Sequence, residues 1–506
     1  MSKIKKINEL ALICKKIINN KKKIILCHGV FDLIHPGHIN HFKEAKKNGD
    51  FLIVSVTRDE YVNKGPNRPI YNIDKRINFL AELSIVDYVC VSPSESAVDV
   101  IKILKPTFYV KGPDYKNFKS DITKKIEKEN DAVKSVGGKV IITGGFTFSS
   151  SKILNDNFNI LSESQYNQVQ RIKKKFNVDD IFKILNRIKS LKVLVIGETI
   201  IDKYNFCQAL GKSGKEPVLM LQELYSEQYL GGAAAIARHI SAFAKKVSLL
   251  SMVGDNSEHE EYILKKLEKN IKPYFVKKTE SPTIVKTRFI DSINLNKIFG
   301  TYLFNDEEIK KKDEKKLIDI FQKHIKDHDL VIISDYGHGM ISQKFAKLIC
   351  KLSNFVAVNA QINAANIGYH SLNKYSNIDC GIINLSELKY EFRNKIDKTE
   401  FLLKKLSKNK RIRNAIVTQG KNGAIMYNLN KNKYYYSEAF ASKVVDKIGA
   451  GDTMMGMVAS ILRINKDNDL ALFLGSLAGA QSVETIGNSQ PLNKIKLLKT
   501  IEYLLK

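Results

Sequence analysis

The sequence predicts an α/β protein built from two doubly wound parallel-sheet domains. Two observations carry this. Short apolar runs alternate with amphipathic stretches from residue 24 to about 155, and again from residue 191 to the C-terminus, the pattern that βα crossovers impose on a parallel sheet. No repeat links the two blocks, and 506 residues exceed one ordinary core. The expected organisation is a first domain over 1–155, a helical linker over 156–190 and a second domain over 191–506.

Each element follows from its spacing. The leading "MSKIKKINELALICKKIINNKKK" interrupts its apolar residues with charge too often for a secretory segment, and reads as an amphipathic helix. Ile24-Ile25-Leu26-Cys27 is a short apolar run between lysines, suited to a buried strand. Ile39, Phe42 and Ala45 then share a helical face, with Gly49 placed to end the helix. Further strands are expected at 51–56, 86–91, 108–112 and 139–145. The linker lacks strand patterning but spaces Ile181, Ile184, Leu185 and Ile188 as a helix does. "KVLVIGETIID" (192–202) opens the second block as a strand, and the alternating runs at 218–224 and 283–290 suit a half-exposed sheet.

Composition narrows the class. Hydrophobic residues make up 43% of the chain, enough for real cores. Six scattered cysteines without a Cys-x-x-Cys pair fit a reducing cytoplasm rather than a disulfide scaffold. No apolar run reaches membrane-spanning length. The net charge of +29 comes from 82 Lys and Arg against 53 Asp and Glu, spread along the whole chain. Without an aromatic-rich basic strip, it reads as a general compositional bias rather than a nucleic-acid surface, and the positive field would also suit phosphorylated substrates.

Two motifs carry chemistry. "GVFDLIHPGHINHF" (29–42) sets His35 and His38 around Pro-Gly on a strand-to-helix turn, where outward N–H groups favour an anion. The imidazoles would stabilise a phosphoryl-type transition state, with Gly37 allowing close backbone approach. A solvated turn, or a metal site through His41, are the other readings of this spacing. "KIGAGDTMMGMVASIL" (447–462) places Gly449-Ala450-Gly451 at a helix start with Asp452 in its first turn. That geometry suits phosphoryl transfer, the carboxylate taking the proton of an attacking hydroxyl; a plain Asp cap is the alternative.

The first block resembles the nucleotidyltransferase superfamily whose HxGH motif also marks class I aminoacyl-tRNA synthetases, and within it the sugar-phosphate cytidylyl- and adenylyltransferases. "NKGPNRPIYNIDKRINFLAEL" (63–83), "VKGPDY" (110–115) and "GGKVIITGGFTFSSSKILN" (137–155) add to the likeness. The resemblance implies a Rossmann-like domain in which His35, His38 and Lys64 are catalytic. It assigns Gly29, Phe31, Asp32, Gly37, Ser149, Ser150 and Ser151 to the nucleotide, and Arg68, Lys111 and Asp114 to substrate. Arg76 reads as a brace of its helix.

The second block resembles the ribokinase-like (PfkB) sugar kinases, with a small β lid at the half-exposed strands. Its matching pieces are "GETIIDKY" (197–204), "YLGGAAAIARHI" (229–240), "VIISDYGHGMI" (331–341), "IINLSELK" (382–389) and "VTQGKNGAI" (417–425). The resemblance makes Asp452 the catalytic base and gives Gly449, Ala450, Gly451, Thr418, Gly420, Asn384 and Glu387 to ATP. Asp202, Gly231 and Gly232 fall to the sugar, and Glu387 lies near Mg²⁺. Three departures fall mainly on the sugar side: Ala235 where Asn is usual, "AVNAQINAANIGYH" (357–370) in place of an "IDPKG"-like stretch, and Lys447-Ile448 before the glycine turn.

Together the blocks resemble the two-domain heptose kinase and adenylyltransferase of lipopolysaccharide synthesis, in inverted order. The expectation is a cytoplasmic bifunctional enzyme. It would use ATP, or CTP at the first domain, with Mg²⁺, act on sugar phosphates without nucleic acid or membrane, and form a possible homodimer. Another sugar or polyol phosphate, or one idle regulatory domain, are the competing expectations.

Overall fold

The computed structural model describes residues 2–62, 68–113, 125–144, 161–367 and 369–505. The chain forms two compact units, one of residues 1–163 with 498–506, the other of residues 164–497.

In the first unit, β1 (Ile24–Gly29), β2 (Phe51–Val56), β3 (Tyr88–Val91), β4 (Phe108–Lys111) and β5 (Lys139–Ile142) form a sheet in the order β3-β2-β1-β4-β5. Every pairing is parallel. Alternate residues of β1 enter opposite cores: Ile24 and Leu26 pack with Leu10, Cys14 and Ile101, Ile25 and Cys27 with Phe42 and Leu80. An unbroken apolar run is what a strand covered on both faces requires. Strand order reverses between β1 and β4, which opens a crevice at their carboxyl ends.

In the second unit, nine strands run β10-β9-β6-β13-β14-β15-β16-β17-β18. They are β6 (Lys192–Gly197), β9 (Lys246–Gly254), β10 (Ile271–Lys278), β13 (Leu330–Asp335), β14 (Val356–Ala360), β15 (Cys380–Asn384), β16 (Asn414–Thr418), β17 (Ala424–Asn428) and β18 (Lys433–Ser437). Pairing is parallel from β10 to β16, but β17 and β18 add an antiparallel edge that the sequence reading did not anticipate. A second sheet, ordered β12-β11-β7-β8, holds β7 (Thr199–Lys212), β8 (Leu219–Gly231), β11 (Ile284–Asp291) and β12 (Lys297–Leu303). This is the expected small β lid.

"KVLVIGETIID" is not one strand. It leaves the large sheet at Gly197, where a Cβ would lie 2.0 Å from the Ser334 carbonyl oxygen, and continues in the small sheet. The stretch expected as a linker is helical, over Glu163–Lys173 and Val178–Arg187. From residue 164 onward it is built into the second unit. Gln168 donates to Ser437 Oγ at 2.8 Å, and Arg171 Nε and Nη2 donate to the Asp469 carboxylate at 2.9 and 3.0 Å.

Two candidate active sites

The HxGH turn sits at the carboxyl end of β1, as its spacing predicts. His35 caps the helix Pro36–Lys46, its Nδ1 accepting from Gly37 N–H at 3.1 Å, with Pro36 at the first helical position. The His35 and His38 rings lie 3.9 Å apart between centroids. Phe31, at φ +48°, turns its ring against His38 and Phe42. A side chain at Gly29 would crowd that ring at 3.1 Å. Arg76 is fully buried and donates to the carbonyls of Tyr71, Val30 and Thr57 and to Asp59. It braces the loop behind the histidines, beyond the helix role its sequence suggested.

Two expected ligand residues, Asp32 and Arg68, are engaged with each other. Asp32 is buried and accepts from Arg68 Nε and from the N–H groups of Ile70 and Tyr71. The Asp32 side chain thus fastens the segment after residue 67. Arg68, expected to face substrate, gives its Nε to that ion pair, its guanidinium 5.7 Å from the Tyr503 ring centre. Lys111 ends β4 and pairs with buried Glu129 at 3.0 Å. Burial pushes the Glu129 carboxyl up, but Lys111 and His28 outweigh it and leave it below its ordinary value. Lys64, Asp114, Ser149, Ser150 and Ser151 lie outside the described residues.

In the second unit the site gathers at the carboxyl edge of the large sheet. Gly449, at φ +85°, precedes the helix Ala450–Ile464 and packs so tightly that a Cβ would fall 2.0 Å from Asn488 Oδ1. No side chain caps this helix, and a Cβ on Gly451 would meet nothing within 4 Å. Unsatisfied N–H groups thus face open space, the requirement for holding phosphate. Asp452 is buried in the first turn, and burial pushes its carboxyl up to about 7 against a hydrogen bond from Tyr336 Oη at 3.2 Å.

Asp202 stands on β7 opposite Lys286 of β11, and Arg288 Nη1 donates to its Oδ1 at 2.6 Å. Gly231 lies so close to Asp202 that a Cβ would sit 2.3 Å from Oδ2. Gly232, at φ +61°, leaves room only for hydrogen beside the Glu198 carbonyl. Lys286 is buried between the rings of Tyr302 and Tyr336, its Nζ 5.1 and 4.9 Å from their centres. Burial lowers this lysine to about 8. Asn384 and Glu387 form a capping box, each accepting the other's backbone N–H at 2.9 and 2.8 Å. The second Glu387 oxygen accepts from Ile362 N–H at 3.1 Å, and burial raises this carboxyl to about 7. Thr418 pairs with Asn384 across β15 and β16, and Gly420 follows at φ +59° in an exposed turn.

The fold thus brings Asp202 and Glu387 within electrostatic reach of Asp452. Lys286, Arg288, Tyr336 and Glu198 were missed from sequence. Only the lysine and arginine on alternate positions of one strand offered a signal, two cations on one sheet face.

Residues 190–495 match the model of the pfkB family carbohydrate kinases. The chain belongs to that family. As a PfkB protein it carries an additional N-terminal part, since residues 26–218 match the cytidylyltransferase-like model. "Bifunctional protein HldE" of Campylobacter jejuni is 27% identical over 318 residues, covering 62% of this chain and 65% of that protein. The protein of the same name from Aliarcobacter butzleri is 40% identical over 140 residues, 27% of this chain and 29% of its own. The chain thus spans less than two thirds of these relatives. The nucleoside kinase of Methanocaldococcus jannaschii overlays 62% of the chain and 99% of its own, at 21% identity and a TM-score of 0.43.

Proposed function

We propose that the chain is a bifunctional enzyme of sugar-nucleotide synthesis. Its second unit phosphorylates a heptose-type sugar phosphate with ATP, and its first transfers a nucleotidyl group from ATP or CTP to a sugar 1-phosphate, releasing pyrophosphate. The observation that carries it is Asp452, a buried carboxylate beside the open space at Gly451 and an uncapped helix start.

The sugar hydroxyl gives its proton to Asp452 as its oxygen bonds to the γ-phosphorus; the bond to the β,γ-bridging oxygen breaks and ADP leaves. Helix N–H groups take up the charge on the moving phosphoryl group, while Asp202, oriented by Arg288, holds sugar hydroxyls. In the first unit, His35 and His38 would stabilise charge as the sugar phosphate displaces pyrophosphate. Among the described residues no three His, Cys, Asp or Glu side chains converge as a metal cage. Mg²⁺ carried largely by the triphosphate and water fits this donor set, with Glu387 the nearby carboxylate.

Exposed Leu210, Leu219, Met220, Tyr225 and Phe299 on the small sheet favour a homodimer through that sheet. Six free cysteines, five of them buried, favour the reducing cytoplasm. Among the described residues no helix is long and apolar enough to cross a membrane. Buried Ala235, standing where related kinases contact sugar, favours a second reading in which another sugar or polyol phosphate is used.

The test is a screen of the purified chain with ATP or CTP, Mg²⁺ and panels of sugar phosphates and sugar 1-phosphates, reading ADP and pyrophosphate separately. ADP with heptose 7-phosphate supports the first reading, ADP with a different sugar the second. No ADP from any sugar rejects kinase activity.

A further inference from the structure

The stretch 357–370, which departs from the heptose-kinase pattern, has a task in the fold. Asn363 Nδ2 and Asn366 Nδ2 both donate to the Tyr336 carbonyl, at 3.0 and 2.8 Å. His370 Nε2 lies 3.0 Å from the Asp335 carbonyl oxygen. Gly337, at φ +71°, lets this layer close, since a Cβ there would fall 2.6 Å from Asn366 Nδ2. From the opposite side, fully buried Glu198 accepts the N–H groups of Tyr336 and His338 at 3.0 and 3.1 Å. Tyr336 is thus fixed at both ends of its backbone, and its hydroxyl is aimed at Asp452 Oδ2.

We propose that Tyr336 is the positioning residue of Asp452. Its hydroxyl occupies Oδ2, leaves Oδ1 to accept the sugar's proton, and favours the ionised carboxylate in a buried site; Asn363 and Asn366 are the brace that holds it there. This rests on the phosphoryl-transfer reading above. The groups facing Asp452 pull in opposite directions. Burial, Asp202 and Glu387 disfavour its charge, while Tyr336 and Lys286 favour it. Burial and the carboxylates Asp452, Asp202 and Glu198 push the Tyr336 phenol far up, so it remains a donor throughout the working range.

The experiment compares the full-length parent with Tyr336→Phe in two readouts. In the pH profile of ATP-dependent ADP formation, the acid limb of kcat should move up by about one pH unit in Tyr336→Phe. Asn366→Ala, which keeps the tyrosine but loosens its brace, should move the limb the same way by less. The second readout is melting temperature against pH. A carboxyl raised in the fold costs stability as pH climbs from its unfolded value to its folded one. Loss of the hydroxyl extends that range upward, so the melting difference between parent and Tyr336→Phe should widen from pH 6 to pH 8. It should not widen on an Asp452→Asn background. Superimposable acid limbs, or a melting difference that is constant with pH, would overturn the proposal. If the parent forms no ADP with any sugar, the kinase reading fails, while the melting series still decides the Tyr336–Asp452 bond.

Discussion

Arg288 Nη1 lies 2.6 Å from Asp202 Oδ1, so the carboxylate assigned to sugar hydroxyls is held in place before any sugar arrives. Its other oxygen faces Gly231 closely enough that a Cβ there would reach 2.3 Å from it. Both contacts orient a binding group rather than the reacting atoms. Arg288→Met should raise the KM for sugar about tenfold and change kcat little, the signature of lost ground-state binding. Gly231→Ala should do the same by displacing the carboxylate. Steady-state kinetics at saturating ATP checks both; a fall in kcat at unchanged KM would contradict the assignment.

Gly451 separates phosphate binding from folding. It lies in a helix and a Cβ there meets nothing within 4 Å, so Gly451→Ala costs no packing. Alanine is the better helix former, and the melting temperature should hold or rise slightly. The methyl nonetheless occupies space meant for phosphate, and the KM for ATP should rise roughly tenfold, the cost of about one charge-assisted hydrogen bond. Parallel melting and ATP titration distinguish this from general damage.

The pH dependence of the kinase reaction follows from two buried groups. Asp452 accepts a proton only when ionised, and burial has pushed it up to about 7, so the rate should fall as pH drops below that value. Lys286 lends positive charge only when protonated, and burial has lowered it to about 8, so the rate should fall again above that value. Lys286→Met should lower kcat/KM and abolish the alkaline limb while the acid limb remains. An alkaline limb that survives the substitution would remove Lys286 from the mechanism.

Local order was legible in the sequence, and contacts between distant segments were not. Ile24–Cys27, Pro36 and the apolar spacing of Ile39, Phe42 and Ala45 define a strand, a turn and a helix by period alone, and the structure places His35 at the cap between them. The Gly449–Asp452 turn was readable for the same reason. The Asp32–Arg68 ion pair was hidden because motif likeness names a residue without its partner, and the pair joins positions 36 apart. Tyr336 was passed over because its role depends on Asp452, 116 residues away, and on the Asn363 and Asn366 side chains. The break at Gly197 was hidden because apolar residues continue through it into a different sheet.

The central claim is that two separate chemistries reside in one chain, and reciprocal single substitutions test it most directly. ADP and pyrophosphate should be measured for the parent, Asp452→Asn and His38→Ala under identical conditions, with sugar phosphate and sugar 1-phosphate supplied in turn. The account predicts that Asp452→Asn loses ADP formation by ~10³-fold and keeps pyrophosphate release, while His38→Ala does the reverse. Retention of ADP formation in Asp452→Asn, or loss of both products in either variant when both remain folded, would contradict it.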